Sequence, residues 1–387
     1  MKPQILCISF SDINADSRVL RQIKVLAEFG DVTTLAYGDR PSGAVDHLEV
    51  DTSLPSLPQT PLGVLGLALR LHKVVELSAP AVKQALALAT GKTFDLIVAN
   101  EARALPLAHH LASQSALKTP VWGDMHEWAP EERAHILPWR LLVKPYMTHV
   151  CQTYIPLTDA VSAVNGSIGR LYDSRFGGSS RVVRNAAPFQ VLAPSPMQPG
   201  VIRLAHSGAA VPGRNLEGMI QAAIDLGDGY TLDLYLVKAR DGGKYWERLR
   251  ELAAGNSRIR FHDAVAPTEL AATLNQYDVG IFSLPPMTTN HQLMLPNKFF
   301  DFVQARLAIV FSPSPETSTL IEGHSLGRIA ADYSTQALVD AVKSMSRDDI
   351  QTFKENSHKS AQALSSVEDE DVERSILQSL LYPATAE

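Results

Sequence analysis

Four short stretches of this 387-residue chain hold the residues best suited to chemistry. The first is "LPNKFFD", Leu295 to Asp301. Pro296 suits the first turn of a helix, which puts Asn297 and Lys298 at its N-terminal end. Free backbone N–H groups and the helix dipole favour an anion there. Asn297, Lys298 and Asp301 share roughly one face. A plain Lys298–Asp301 ion pair explains the pattern poorly, because lysine at the positive end of a helix is the less favourable order. A phosphate would satisfy Lys298 and the N–H groups, leaving Asp301 to accept hydrogen bonds from ribose hydroxyls. Phe299, Phe300 and Phe302 are expected to turn into packing.

The second stretch, "HSGAAVPGRNLEGMIQA", runs from a strand through small residues into a helix. Gly208 and its neighbours would let backbone approach a ligand closely, and Arg214 can hold a diphosphate bidentately. No G-x-G-x-x-G is present, so the nicotinamide-type fingerprint is missing. In the third, "VWGDMHEWAPEE", Asp124, His126 and Glu127 follow a strand directly. A histidine beside carboxylates can act as a base or orient a hydroxyl. The stretch does not read H-E-x-x-H, and Pro130 would break such a helix, so zinc is not expected. The fourth, "SFSDINADSRVL", supplies Asp16 and Arg18, which would serve equally as a cap and a helix-face residue, with Ser17 as a further candidate cap.

These stretches need elements to hold them. Short β-rich runs alternate with helical ones in two series. The first holds "QILCISF", "DVTTLAY", "FDLIVAN", "PVWGD", "AVSAV" and "RVVRN"; the second holds "VIRLAHSG", "TLDLYLV", "RIRFHD", "DVGIFSL", "LAIVFS" and "GRIAA". Such alternation implies parallel sheets covered by helices on both faces. The fold class is therefore α/β, with two Rossmann-like doubly wound domains facing a central cleft and ligands beyond the carboxyl ends of the strands. The expected boundaries are an N-terminal domain over 1–188, a Pro-rich linker over 189–200, a C-terminal domain over 201–365, and a helix over 366–387 returning to the N-terminal domain.

Composition narrows the function. The 35 Lys and Arg against 41 Asp and Glu give a net charge of −6, which argues against a nucleic-acid partner. Two cysteines far apart, Cys7 and Cys151, offer no disulfide framework or metal spacing and fit a reducing compartment. No signal-peptide pattern or apolar run of spanning length is evident, so a cytoplasmic location is expected. Asp369-Glu370-Asp371 is read as the acidic start of a helix rather than a metal-binding D-x-D. Two segments are unusually apolar, Leu62 to Ala89 and Leu137 to Ile155. Buried packing helices with snorkelling cations are the preferred reading; the alternative is a peripheral surface on the inner membrane face, near a lipid-linked substrate.

Taken in order, these pieces resemble a GT-B glycosyltransferase, similar to the retaining family 4 enzymes. The likeness rests on "ADSRVLRQIKVLAEFG", "FDLIVANEARALPLAHHL", "GDMHEWAP", "RVVRNAAPF", "HSGAAVPGRNLE", "RIRFHDAVAPTELAATLNQYDVGIFSLPP" and "LPNKFFDFVQARLAIVFS", and it covers nearly the whole chain. It implies a hexose-type sugar moved from a nucleoside-diphosphate sugar to a saccharide or lipid-linked acceptor, with retention. It implies no metal, and no cofactor besides the nucleotide sugar as co-substrate. His126, Arg214 and Lys298 would carry the chemistry. Gly208, Arg214, Asn297, Lys298 and Asp301 would hold the donor, and Asp16, Arg18, Asp124 and Glu127 would stand on the acceptor side. Asp301 falls where the second acid of that family's E-x7-E motif meets the ribose. Two positions depart from the pattern: Leu293 replaces the motif's first glutamate, and Ala209 stands where many relatives carry a phosphate-binding arginine. A sugar-nucleotide epimerase of the same architecture, or a non-catalytic sugar- or nucleotide-binding relative, is the alternative reading.

Overall fold

Strands joined by helical crossovers return to the same end each time, so they must pair in parallel. The computed structural model, which describes residues 2–115, 118–238 and 242–383, shows two compact units built this way. Unit 1 is Met1–Arg184, Thr288–Asn290 and Asp369–Glu387; unit 2 is Asn185–Met287 and His291–Glu368.

The sheet of unit 1 contains β1 (Gln4–Asp12), β2 (Asp31–Tyr37), β3 (Asp46–Val50), β4 (Leu96–Asn100), β5 (Val121–Met125), β6 (Ala160–Ala163) and β7 (Ser180–Val182). Their order is β3-β2-β1-β4-β5-β6-β7, with every pairing parallel. Unit 2 has β8 (Ile202–Ala210), β9 (Tyr230–Lys238), β10 (Ile259–Asp263), β11 (Val279–Phe282), β12 (Ala308–Phe311) and β13 (Gly327–Ile329). Its order is β10-β9-β8-β11-β12-β13, again all parallel. Both are Rossmann-like. In each sheet the winding reverses beside the first strand, between β1 and β4 and between β8 and β11, and such a reversal opens a crevice for ligands.

All the strands expected from sequence are present. The additional one is β3, "DHLEV", which lies at the sheet edge with Asp46 and Glu49 exposed and so carries no apolar run. Strands β4, β5, β11 and β12 are buried throughout, as sheets covered on both faces require. In unit 2, Phe299, Phe300 and Phe302 are fully buried. Phe299 and Phe302 meet Phe311 of β12 edge-on, which holds the helix Asn297–Gln304 firmly against the sheet.

The Pro-rich segment is tied to unit 2 rather than strung free. The Gln190 amide N–H donates to Gln304 Oε1 at 3.0 Å, and Arg347 donates to the Gln198 carbonyl at 2.6 Å. The last helix, Ser366–Leu381, places Ile376 and Leu377 in the core of unit 1. Asp369 accepts from Arg184 at 2.9 Å, and Arg374, paired with Asp371 along the same helix, donates to Glu28 at 2.8 Å, which anchors the helix. Residues 384–387 of the expected C-terminal element lie outside the described residues.

Gly280 of β11 sets how closely this helix can lie on the sheet. A Cβ there would fall 2.4 Å from the Phe302 ring. Gly280→Ala should lower stability by about 1–3 kcal/mol through overpacking. Thermal unfolding of unit 2, followed by near-UV circular dichroism, would show the loss.

Candidate functional site

In unit 2, three elements meet at the winding reversal. Strand β8 ends on Gly208, Ala209 and Ala210, β11 ends on Phe282, and the helix Asn297–Gln304 starts nearby with Pro296 at its cap position. Lys298 bends over the end of β8. A Cβ on Gly208 would lie 2.7 Å from Lys298 Cε and 2.9 Å from Nζ, and Gly208 has φ +154°, a conformation that disfavours any side chain. The ammonium also lies 5.7 Å from the Phe282 ring centroid, a cation–π distance.

His206, buried two residues earlier on β8, stacks parallel to Phe282. Its Nδ1 donates to the Ile281 carbonyl at 3.0 Å. That bond leaves Nε2 as an acceptor, 3.6 Å from the same Cβ position over Gly208. Burial, then the charge of Lys298, pushes the His206 imidazolium down to about 3, so the ring is neutral at ordinary pH. Arg214 is exposed in the turn before the helix Leu216–Leu226. The turn is set by Asn215, left-handed at φ 53°, whose amide donates to Ser283 Oγ at 3.0 Å beyond the end of β11. Burial, and then Arg214, lowers the Lys298 pKa to about 8, with Asp301 pulling the other way. Lys298 thus lies over Gly208 beside a neutral imidazole and within electrostatic reach of Arg214.

Sequence reasoning brought Gly208, Arg214 and Lys298 to one place, with Asp301 acting on Lys298 from one turn along. Asn297 is exposed at the first helical position. His206 was quoted in its motif but not singled out; its position at the end of a strand, two residues before the glycine, was the available signal.

Unit 1 presents a different arrangement. Arg18 and Asp124 do not stand at an open edge, as the sequence suggested; both are buried against each other. Arg18 Nε donates to Asp124 Oδ2 at 2.8 Å, its NH2 to Oδ1 at 2.6 Å, and its NH1 to the Val183 carbonyl at 2.6 Å. Asp124 also accepts from Ser162 Oγ at 2.5 Å and Gln22 at 3.3 Å. Burial pushes the carboxyl up, but Arg18 and the hydrogen bonds from His126 and Arg18 outweigh it and hold it well below the usual range. These two residues therefore position others rather than touch a ligand. Asp16 accepts from the Val19 N–H at 3.2 Å, so Asp16, not Ser17, caps the first helix.

His126 is the half-buried end of this network. Its Nε2 lies 3.0 Å from Asn100 Oδ1 and 3.3 Å from Asp124 Oδ2, two acceptors that place the proton on Nε2. Glu127 belongs to a separate acidic group. Burial, then Glu132 and Glu101, raises it to about 7, against the pull of His126 and Arg103. Glu101 sits at φ 66° and ψ 153°, a backbone region nearly reserved for glycine, and its carboxylate binds Arg103 at 2.6 Å. Strain of this kind costs about 1–3 kcal/mol and clusters at functional sites. Asn100, Gln22 and Ser162 were not singled out in the sequence, because their partners lie far away along the chain; Glu101 and Arg103 were missed too, since a pair two residues apart gives no sign of the strained backbone that holds it. Among the described residues, no group of three His, Cys, Asp or Glu side chains could hold a metal ion.

No family model matches the chain, and no curated protein matches it. Solved structures do resemble it in fold. A glycosyltransferase from Rickettsia africae ESF-5 superposes with TM-score 0.70 at 11% identity, covering 99% of this chain and 100% of its own. Sucrose-phosphate synthase from Thermosynechococcus elongatus gives 0.71 at 14%, covering 99% and 100%. Anabaena HepE in complex with UDP and glucose gives 0.70 at 14%, covering 97% and 100%. Two Rossmann-like domains are thus the fold of known glycosyltransferases.

Two outcomes are expected. Asp124→Ala strands a buried guanidinium and should cost about 3–5 kcal/mol in denaturant unfolding. Inorganic diphosphate should bind unit 2 more weakly as pH rises through about 8, where Lys298 loses its proton. Stability should move oppositely. The unfolded lysine keeps its proton up to its higher ordinary pKa, so the folded form gains stability between the two values. Titration calorimetry across that range should show the inflection in the wild type and none in Lys298→Ala.

Proposed function

We propose that the protein is a glycosyltransferase that moves a hexose-type sugar from a nucleoside-diphosphate sugar to a saccharide or lipid-linked acceptor, with retention of configuration, as in family 4. The observation that carries this reading is the placing of Lys298 over Gly208 beside Arg214, at the winding reversal of unit 2. A diphosphate has the charge and size to sit between those two cations. The fold neighbours support it: structures of Anabaena HepE contain UDP and UDP-glucose, and trehalose-6-phosphate from E. coli is described bound with UDP-2-fluoro glucose.

The chemistry follows from where charge develops. As the glycosidic C–O bond breaks, negative charge gathers on the departing diphosphate while the sugar becomes oxocarbenium-like. Arg214 and Lys298 stabilise that charge, along with the N–H groups at the start of the helix Asn297–Gln304. Neutral His206 accepts through Nε2 beside Lys298 and adds no competing positive charge. Asp301 faces the ribose. His126, with its Nε2 proton fixed by Asn100 and Asp124, is assigned to the reacting sugar and the acceptor hydroxyl, and Glu127 stands on the acceptor side. No metal ion is invoked.

The test is a thermal-shift panel of nucleoside diphosphates and their sugars, run with Arg214→Ala and Lys298→Ala. Binding to the folded state raises Tm by mass action. The expected result is a shift with one nucleotide, lost in both variants, and sugar transfer reduced by about 10²-fold or more in Arg214→Ala. A cooperative melt unmoved by every nucleotide at millimolar concentration would overturn the proposal.

A further inference from the structure

Unit 1 turns leucines outward on a helix whose small residues face inward. In the helix Pro61–Ala68, the backbone at Gly63 and Gly66 presses on the protein: added Cβ atoms would lie 2.7 Å from the Pro58 carbonyl oxygen and 2.5 Å from Val75 Cγ1. Leu62, Leu65 and Leu69, spaced on one face, are 81%, 53% and 59% exposed. This reverses the pattern of a water-soluble surface helix. The second apolar segment also lies open, with Leu137 and Leu141 both 53% exposed. The two segments touch, since Arg70 donates to the Leu141 carbonyl at 2.9 Å. A cavity of about 470 Å³ lies between them, walled in part by Val64, Leu67, Ile136 and Trp139. Buried packing helices, the preferred reading of these segments from sequence, holds for Pro80–Ala89 and Lys144–Tyr154, which bury Ala81, Val82, Ala85, Met147, Val150 and Cys151, and is corrected for the open stretches at 62–74 and 137–141.

The charges on this face are one-sided. Residues 61–75 and 133–149 contain Arg70, Lys73, Arg133, Arg140 and Lys144, with acids only at their edges, Glu76, Glu131 and Glu132, in a chain of net charge −6. Lys144 is tied to Glu131, Lys73 leans on Glu76 and Arg133 on Glu132, while Arg70 and Arg140 are exposed. Arg70 holds a left-handed backbone at φ 59°, with the Leu71 N–H returning to the Gly66 carbonyl at 2.9 Å. That is the helix-ending position where glycine is ordinarily found, so a long cation is kept there against its backbone preference. Among the described residues, no helix is long and apolar enough to cross a membrane.

We infer that this face of unit 1 docks on a bilayer surface rich in anionic lipids. The exposed leucines enter the boundary between headgroups and acyl chains, and Arg70 and Arg140 meet the headgroup phosphates. The inference rests on the surface of unit 1 alone and stands or falls separately from the nucleotide site.

The experiment is co-sedimentation of the full chain with phosphatidylcholine vesicles, with and without phosphatidylglycerol, at low and high salt. The wild type should pellet with the anionic vesicles at low salt and be released by high salt. Leu65→Glu with Leu141→Glu should reduce partitioning by at least about tenfold. Arg70→Gly with Arg140→Gln should reduce it by roughly 25-fold, at about fivefold per cation. Arg70→Gly suits its left-handed position, and all four sites are exposed, so unchanged melting curves and nucleotide shifts will confirm intact variants. Wild type left in the supernatant with anionic vesicles at low salt would overturn the inference. So would equal binding to both vesicle types, or leucine variants that pellet as the wild type does. Sedimentation velocity showing a dimer broken by the leucine variants, with no vesicle binding, would reassign the face to self-association.

Discussion

Much of unit 1 hangs on the ion pair between Arg18 and Asp124. Taking two charges out of water costs several kcal/mol per ion, and their attraction offsets this only when the remaining hydrogen-bonding capacity is met. Here it is met from four directions. Arg18 reaches both carboxylate oxygens and the Val183 carbonyl, while Ser162 and Gln22 donate to the carboxylate. The pair thereby joins the first helix, β5, β6 and the chain leaving β7. Glu373 of the last helix is part of the same balance: burial, then Asp124, raises its carboxyl to about 8 against Arg18 and Arg21. The network ends at half-buried His126, with one ring nitrogen committed to Asn100 and Asp124 and its orientation decided by those buried groups.

Unit 2 repeats the winding of unit 1 but treats charge oppositely at the reversal. In unit 1 the ions compensate one another internally. In unit 2, Lys298 and Arg214 raise each other's cost, and the nearest aromatic and imidazole groups, Phe282 and His206, are neutral. A backbone without a side chain at Gly208 leaves room for the ammonium. The two units thus differ in the electrostatics laid on one topology, with a concentration of positive charge at the reversal of one and an oriented histidine beside acids on the other.

The alternation of apolar runs made both sheets legible, because parallel strands buried on two faces cannot disguise their composition. The motif at Leu295 to Phe302 was legible too, since three phenylalanines among polar residues turn into packing, and all three are buried. Strand β3 was not, as its alternation is short and half charged. The Arg18–Asp124 pair was not, because its partners are 106 residues apart and a polar residue after a strand looks the same whether it is buried or exposed. The apolar segments misled for a related reason. Leucine spacing gives the face of a helix but not which way it points, and glycines at Gly63 and Gly66 let the helix settle on its smaller side.

The distribution of positive charge links these features. A chain with more acids than bases would be expected to scatter its cations among them as surface pairs, and many do pair this way, such as Lys118 with Asp159 and Arg374 with Glu28. Two places depart from that habit. Lys298 lies within electrostatic reach of Arg214, and the face around Arg70 and Arg140 keeps two arginines exposed to solvent beside its leucines. Each departure carries a backbone or burial cost, at Gly208 and Lys298 in one and at Arg70 in the other. Costs of that kind persist when something outside the chain supplies the missing negative charge. The common chemistry that would do so in both places is phosphate, held as a diphosphate between two cations in unit 2 and as a headgroup layer against unit 1.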